Sequence, residues 1–190
     1  VNAPQRMRYG GVRDNLLSAT VALADGRVIQ TGRGVVKNVA GYDITKLLVG
    51  AQGTLGVIAD ATLKIIPKPR AQRTVAVPVA DLQQGLTWAN ALLPSLLIAS
   101  GLVLCPSPLM ASTMTTPYAL VVTSEGVAED VESEIAEIGS HLRQVGAPPP
   151  ITLPNTSTAL WASFIGSVAA DQLLSRTGVP VKQVADYLAT

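Results

Sequence analysis

The constraint that most limits this chain lies at Gly53-Thr54-Leu55-Gly56, where a short helical signal runs into a glycine turn and a long alternating strand runs out, with no spacer on either side. Asp43 is placed to N-cap a helix from Ile44 to Val49, and Gly50 stands where a left-handed C-terminal residue is wanted. Two glycines around a small hydroxyl residue let the backbone turn sharply and present its N–H and C=O groups to a polar ligand edge. From Val57 the odd positions Val57, Ala59, Ala61, Leu63 and Ile65 are apolar while Asp60, Thr62 and Lys64 alternate with them, which predicts a half-buried strand ended by Pro67 and Pro69.

Upstream, residues 1–16 have no clean period and read as a loop with Arg6, Arg8 and Arg13 around Tyr9-Gly10-Gly11. The two glycines could let backbone approach a ligand, with an arginine balancing pyrophosphate charge, or could simply form a solvated turn. Leu17 to Ala24 predicts a strand, Asp25-Gly26 a hairpin turn and Arg27 to Gln30 the return strand, all read as scaffold. Gly32-Arg33-Gly34-Val35-Val36-Lys37 has only the first half of a dinucleotide fingerprint, with Lys37 where the third glycine belongs, and it lacks a Walker A ending. Neither a Rossmann NAD site nor a nucleotide triphosphatase follows. Lys37, Asn38, Tyr42, Asp43 and Lys46 form a polar cluster beside the glycine turn, in which Asp43 is explained by capping without any catalytic role.

After Pro67-Lys68-Pro69 the pattern changes, which places a domain boundary at residues 67–73. Thr74 to Val79 predicts a strand and Asp81 caps a helix with Leu82, Leu86, Ala89 and Leu93 on one face, stopped by Pro94. Leu96 to Leu104 and Tyr118 to Thr123 predict two further strands. Ala128 to Val145 is the clearest helix, its apolar stripe Val131, Ile135, Ile138, Leu142 and Val145 opposed by Glu129, Asp130, Glu132, Glu134 and Glu137, an acidic group read as a solvated face. The order strand, helix, strand, strand, helix predicts an α+β unit of the split βαβ, ferredoxin-like type with its helices on one side. Residues 155–190, with Trp161, Phe164 and a short pattern of Val181, Val184, Ala185 and Leu188, read as the start of a further segment.

Composition excludes more than it identifies. A net charge of +1 and an aromatic content of 4% give no footprint for nucleic acid. Cys105 and His141 are the only residues of their kinds, so neither a disulfide, a multi-histidine or cysteine metal site nor iron–sulfur ligation can be built within the chain. The most apolar run, Ala91 to Cys105, is broken by Pro94, Ser95, Ser100 and Gly101 and is too short to cross a bilayer. A hydrophobic content of 48% against 14% charged residues, with a mean hydropathy of +0.36, predicts apolar surface that a missing partner or segment would cover. With the absent initial Met, this reads as a fragment that aggregates when expressed alone.

The stretch KNVAGYDITKLLVGAQGTLGVIADATLKIIPKP resembles the second half of the FAD-binding domain in the vanillyl-alcohol oxidase / p-cresol methylhydroxylase (PCMH-type) flavoprotein superfamily, within the glycolate oxidase and D-lactate dehydrogenase branch. RMRYGGVRDNLLSATVALADGRVIQTG is similar to the preceding part of that domain and leans toward the FAD-binding subunit of bacterial glycolate oxidase. Ala51-Gln52 departs from the family's more usual Ser-Glu. The resemblance implies residues 1–69 as the C-terminal part of an FAD-binding domain whose pyrophosphate loop would precede Val1. It further implies residues 70–154 as a ferredoxin-like cap domain over the flavin ring, and 155–190 as the beginning of a further cap segment, so the fold is incomplete. The implied cofactor is FAD, held by Tyr9, Gly10, Gly11, Gly50, Gly53, Thr54, Gly56, Val57 and Ile58. The implied activity is oxidation of a small 2-hydroxy acid such as glycolate to the 2-oxo acid by hydride transfer to flavin, with this fragment inactive by itself. Partners would be a larger flavin subunit and an iron–sulfur subunit, in the cytoplasm or attached to the inner membrane through them. No catalytic base and no metal ligand is assigned, His141 being read as a solvated helix residue. An FAD-binding assembly or electron-transfer subunit, and a structural domain without flavin, are the alternatives.

Overall fold

The structure, a computed structural model, describes residues 4–33, 42–107, 114–154, 157–166 and 183–188. The chain divides into two compact units, Val1–Lys68 and Pro69–Thr190.

The first unit is built on a three-stranded antiparallel sheet in which β1 (Leu16–Ala22) lies between β2 (Val28–Gly32) and β3 (Val57–Leu63). Asp25-Gly26 makes the β1–β2 turn: Gly26 takes φ 85°, and the Asp25 carboxylate accepts from the Arg27 amide and from its guanidinium at 2.7 Å. Residues 4–15, read from sequence as a loop, instead form two single-turn helices, α1 (Arg6–Tyr9) and α2 (Val12–Asn15). The cause is local. Asp14 accepts the Gly11 amide at 2.7 Å, and the Asn15 side-chain amide donates to the carbonyls of Tyr9 and Gly11, so short polar side chains supply the partners a loop would have sought in water.

The core of this unit is small: Ala19, Val21 and Leu48, with Leu23 and Ile29 packed on them. Leu48 comes from α3 (Ile44–Leu48), which covers β1 and β2. No described helix covers β3 in the same way. Each of its seven residues is exposed, where alternation had predicted a half-buried strand. A register shift opposite Thr20 and Val21 also moves the apolar face, so that Ile58 pairs with Val21 and Ala61 with Ala19, leaving Ala59 as the extra residue of a bulge.

The second unit contains β4 (Ala71–Val79), α4 (Leu82–Leu92), β5 (Ala99–Pro106), β6 (Tyr118–Gly126), α5 (Ala128–Gln144) and β7 (Ile151–Thr152). Its strands run in the order β5-β6-β4-β7 with every neighbouring pair antiparallel, the ferredoxin-like split βαβ arrangement. Asp81 caps α4 by accepting the Gln84 amide at 2.8 Å, and Pro94 converts the end of that helix to a single 3-10 turn. Alternate residues of the strands feed two cores. On one face Val75, Val77, Val79, Leu120 and Val122 meet Trp88 and Leu92 of α4 and Ile138 and Leu142 of α5. On the other, Ala76, Val121, Ala119 and Cys105 meet Leu160 and Trp161 of α6 (Ser157–Gly166). The two helices of the split βαβ unit, α4 and α5, thus share one side of the sheet as expected, and α6, from the segment that follows, covers the other. A short α7 (Val184–Leu188) lies against α4.

Polar residues inside this unit are paired in register. Thr74 and Thr123 face each other with hydroxyls 3.0 Å apart, and Gln72 donates to the fully buried Glu125 at 2.7 Å. Glu134, assigned from sequence to a solvated helix face, is buried, because its carboxylate accepts the amides of Leu97 and Ile98 and so fastens the entry of β5 to α5. The remaining acidic residues of that face behave as predicted, with Glu132 pairing to Arg73 at 3.0 Å on the surface.

Candidate functional site

The turn between α3 and β3 is assembled from the helix upward. Asp43 accepts the Lys46 amide at 3.1 Å and pairs with its ammonium at 3.1 Å. The backbone hydrogen bond first, and the Lys46 charge with it, lower the Asp43 pKa, which marks a capping carboxylate held ionised and not a proton acceptor. Gly50 follows the helix with φ 89°. Gln52 and Gly53 then take φ 51° and 82°, and the Thr54 amide donates back to the Ala51 carbonyl at 3.0 Å, a hairpin-like turn with both central residues left-handed. The Thr54 hydroxyl donates to the same carbonyl at 2.7 Å, closing the turn with its own side chain.

The three glycines of the turn have different reasons to be glycine. A Cβ placed on Gly56, at φ 153°, would lie 2.7 Å from Val21 Cγ1 and 3.0 Å from the Ala22 carbonyl, so packing alone forbids a side chain there. At Gly50 and Gly53 a Cβ would meet nothing within 4 Å. Their backbone faces open space. Gln52 is the one non-glycine residue with positive φ among the described residues, a conformation that costs about 1–2 kcal/mol and is spanned by the two hydrogen bonds from Thr54 to the Ala51 carbonyl. Beyond the turn Val57 and Ile58 are exposed, and β3 ends the sheet, so its outward amides and carbonyls pair with no described strand.

A second feature lies on the sheet face turned away from Val21. Ser18, Thr20, Gln30, Gly32, Arg33, Asp60 and Thr62 line an open cleft of about 370 Å³, with Thr20 between Gln30 and Asp60, and Ser18 between Gly32 and Thr62. Sequence reading treated this hairpin as scaffold. The alternation of Ser18 and Thr20 with Ala19 and Val21 in the buried strand was the signal that one face is polar. Hydroxyls, an amide, a guanidinium and a carboxylate on one surface can bind a polar ligand, but no described group there is placed as a base.

Not all of the sequence-derived ligand residues come together. Gly53, Thr54, Gly56, Val57 and Ile58 cluster at the Ala22 end of β1, with Gly50 at the start of the same turn. Tyr9, Gly10 and Gly11 lie beyond the Leu16 end, separated by the length of a seven-residue strand, about 20 Å. The Gly11 amide and the Tyr9 and Gly11 carbonyls are also engaged by Asp14 and Asn15. In the polar cluster, Tyr42 is 99% exposed, while Lys37 and Asn38 fall outside the described residues. Cys105 is buried and burial pushes its thiol up to about 11, which makes it inert, and His141 is half-buried on α5 with Nδ1 3.0 Å from the Glu137 carbonyl. No group of three or more metal-ligating side chains occurs among the described residues, and no described helix is long and apolar enough to cross a membrane.

The fold is shared with two solved structures. An alkyldihydroxyacetonephosphate synthase structure superposes with a TM-score of 0.64 over 87% of this chain and 36% of its own, at 16% identity. Substrate-bound p-cresol methylhydroxylase superposes with a TM-score of 0.55 over 78% of this chain and 37% of its own, also at 16% identity. No family model matches the sequence. Its homologues include glycolate oxidase subunit GlcD of Bacillus subtilis, 29% identical over 143 residues, which cover 70% of this chain and 30% of the relative. An uncharacterized FAD-linked oxidoreductase of Mycobacterium tuberculosis is 26% identical over 97% of this chain and 45% of its own length. Glycolate oxidase subunit GlcE of Escherichia coli is 37% identical over 84 residues, 44% of this chain and 24% of its own, and D-lactate dehydrogenases match as well. The chain thus spans less than half the length of these relatives.

Proposed function

We propose that this chain is part of an FAD-dependent oxidoreductase that converts a small 2-hydroxy acid, such as glycolate, to the 2-oxo acid. The turn from Gly50 to Ile58 would hold the cofactor through its main chain. The observation that carries this is the open approach to the backbone at Gly50 and Gly53, in a turn strained at Gln52 and running directly into an exposed edge strand. Strain kept at an open surface is expected where a ligand, not packing, sets the conformation. The residues present fit a dinucleotide: amides and carbonyls for its polar edges, and Val57 and Ile58 as apolar surface for a planar ring. Gly56 keeps the turn pressed on Val21, and Thr54 fixes its shape. Tyr9 and Gly10 would reach only a ligand long enough to extend along the sheet.

When bound, FAD supplies the hydride acceptor. The chain's own contribution is to bind and orient it. In this reading residues 1–69 belong to the FAD-binding domain, residues 70–154 to the ferredoxin-like cap and residues 155–190 to the beginning of a further cap segment. GlcD and GlcE are named as subunits, which supports a multi-subunit assembly; the partners proposed for it are a larger flavin subunit and an iron–sulfur subunit, in the cytoplasm or peripheral to the inner membrane.

A second reading is an FAD-binding assembly or electron-transfer subunit with the chemistry elsewhere. It is favoured by the placement of His141, half-buried on α5 with Nδ1 against the Glu137 carbonyl, and by the buried, protonated Cys105. Protein isolated from its native cells separates the readings. Flavin absorbance bleached anaerobically by a 2-hydroxy acid in the isolated subunit supports the first, and bleaching only in a complex supports the second. A colourless protein that takes up no FAD would overturn both.

A further inference from the structure

A separate cleft of about 310 Å³ lies wholly within the second unit, between the segment entering β5 and the flank of α5, lined by Leu97, Ile98, Asp130, Ser133, Glu134 and Glu137. Asp130, Glu134 and Glu137 recur at four and three residues, so all three carboxylates stand on one side of the helix. Glu134 is only 5% exposed. Its Oε1 accepts the amides of Leu97 at 2.6 Å and Ile98 at 2.8 Å, while its Oε2 is buried and has no hydrogen-bond partner. No described cation pairs with any of the three, the nearby Arg73 being taken by Glu132. A buried carboxylate oxygen without a donor is costly, and two further negative charges beside it raise the cost.

The shape limits what would complete this site. Asp130 and Glu137 are seven residues apart, about 10 Å along the helix, too far for one metal ion, and no metal-binding group is found among the described residues. The volume is at the lower end for a small-molecule pocket and suits a single side chain. Leu97, 84% exposed, offers an apolar lip for an aliphatic stem. We propose that this cleft receives an arginine side chain from a partner protein, its guanidinium fork pairing with Asp130 or Glu137 and, as the side chain enters, drawing Glu134 Oε2, closed off in the unbound chain, into a hydrogen bond. The site is independent of the flavin reading.

The test is a titration of the ¹⁵N-labelled whole protein, isolated from its native cells, at low ionic strength with capped arginine, capped citrulline, and a peptide carrying arginine between apolar residues. Saturable shifts are expected at the Leu97 and Ile98 amides, which share the Glu134 carboxylate. Citrulline should bind at least about tenfold more weakly, and an Asp130→Asn/Glu137→Gln variant should lose arginine binding by a similar factor, Glu134 being left intact because it pins the backbone. The peptide should bind more tightly than the capped residue. Equal binding of citrulline, shifts elsewhere or none, an unaffected double variant, or free agmatine binding as tightly as the peptide would each overturn the proposal.

Discussion

Gly56→Ala should destabilise the first unit far more than Gly50→Ala, although both glycines have positive φ. At Gly50 the new methyl enters open space, and only the left-handed backbone is penalised, by about 1–2 kcal/mol. At Gly56 a comparable backbone strain is joined by contact with Val21, which is fully buried, and with a backbone carbonyl that cannot swing aside. Overpacking of that kind adds about 1–3 kcal/mol, for a total of roughly 2–5 kcal/mol. Both tryptophans, Trp88 and Trp161, lie in the other unit, so fluorescence will not report the change. Amide hydrogen exchange across β1 and β3 will: at 4 kcal/mol the protection of the paired amides falls about a thousandfold, against about tenfold for Gly50→Ala. Equal losses in the two variants would refute the argument that packing, not ligand approach, fixes Gly56.

Glu134→Ala removes the acceptor of two buried backbone amides and should cost about 2–3 kcal/mol in denaturant unfolding of the second unit, while Glu137→Ala, exposed, should change it by less than about 0.5 kcal/mol. Asp43→Ala should cost about 1 kcal/mol of local stability in α3, read by exchange of the Lys46 amide. Because the Asp43 pKa is lowered in the folded state, its contribution is present above the ordinary carboxylate range and is lost as pH falls through the depressed value. Cys105 should resist thiol reagents at pH 8 in the native protein and react only as the second unit unfolds. Its raised pKa has the opposite linkage, so stability falls as pH climbs from about 9 toward about 11, where the unfolded thiol ionises and the buried one does not. Rapid native labelling would contradict this.

Much of the local structure was legible because single residues fix it. Asp43, Asp81 and Asp25-Gly26 each specify a cap or a turn without help from distant chain, and the four-three spacing of α5 locates its buried Val131, Ile138 and Leu142, although Val145 falls past the helix end and is exposed. Tertiary pairing decided the rest. The β3 bulge at Ala59 depends on register against β1 and cannot be read from alternation within one strand. Glu134 looked like its solvated neighbours until the Leu97–Ile98 segment was brought against it. At the candidate site, sequence located the turn but not which glycine serves packing, and it passed over the cleft at Ser18, Thr20 and Asp60, whose members come from three strands. Residues 1–16 misled because the side chains of Asp14 and Asn15 supply hydrogen bonds that no periodicity records.

Contact between FAD and the Gly50–Ile58 backbone is measured most directly by hydrogen exchange on protein isolated with its flavin, compared with the same protein stripped of it. Slower exchange of the Gly53 to Ile58 amides in the flavin-bound form, with β2 unchanged, is the result predicted here. Bound flavin that leaves those amides exchanging at the stripped rate would contradict it.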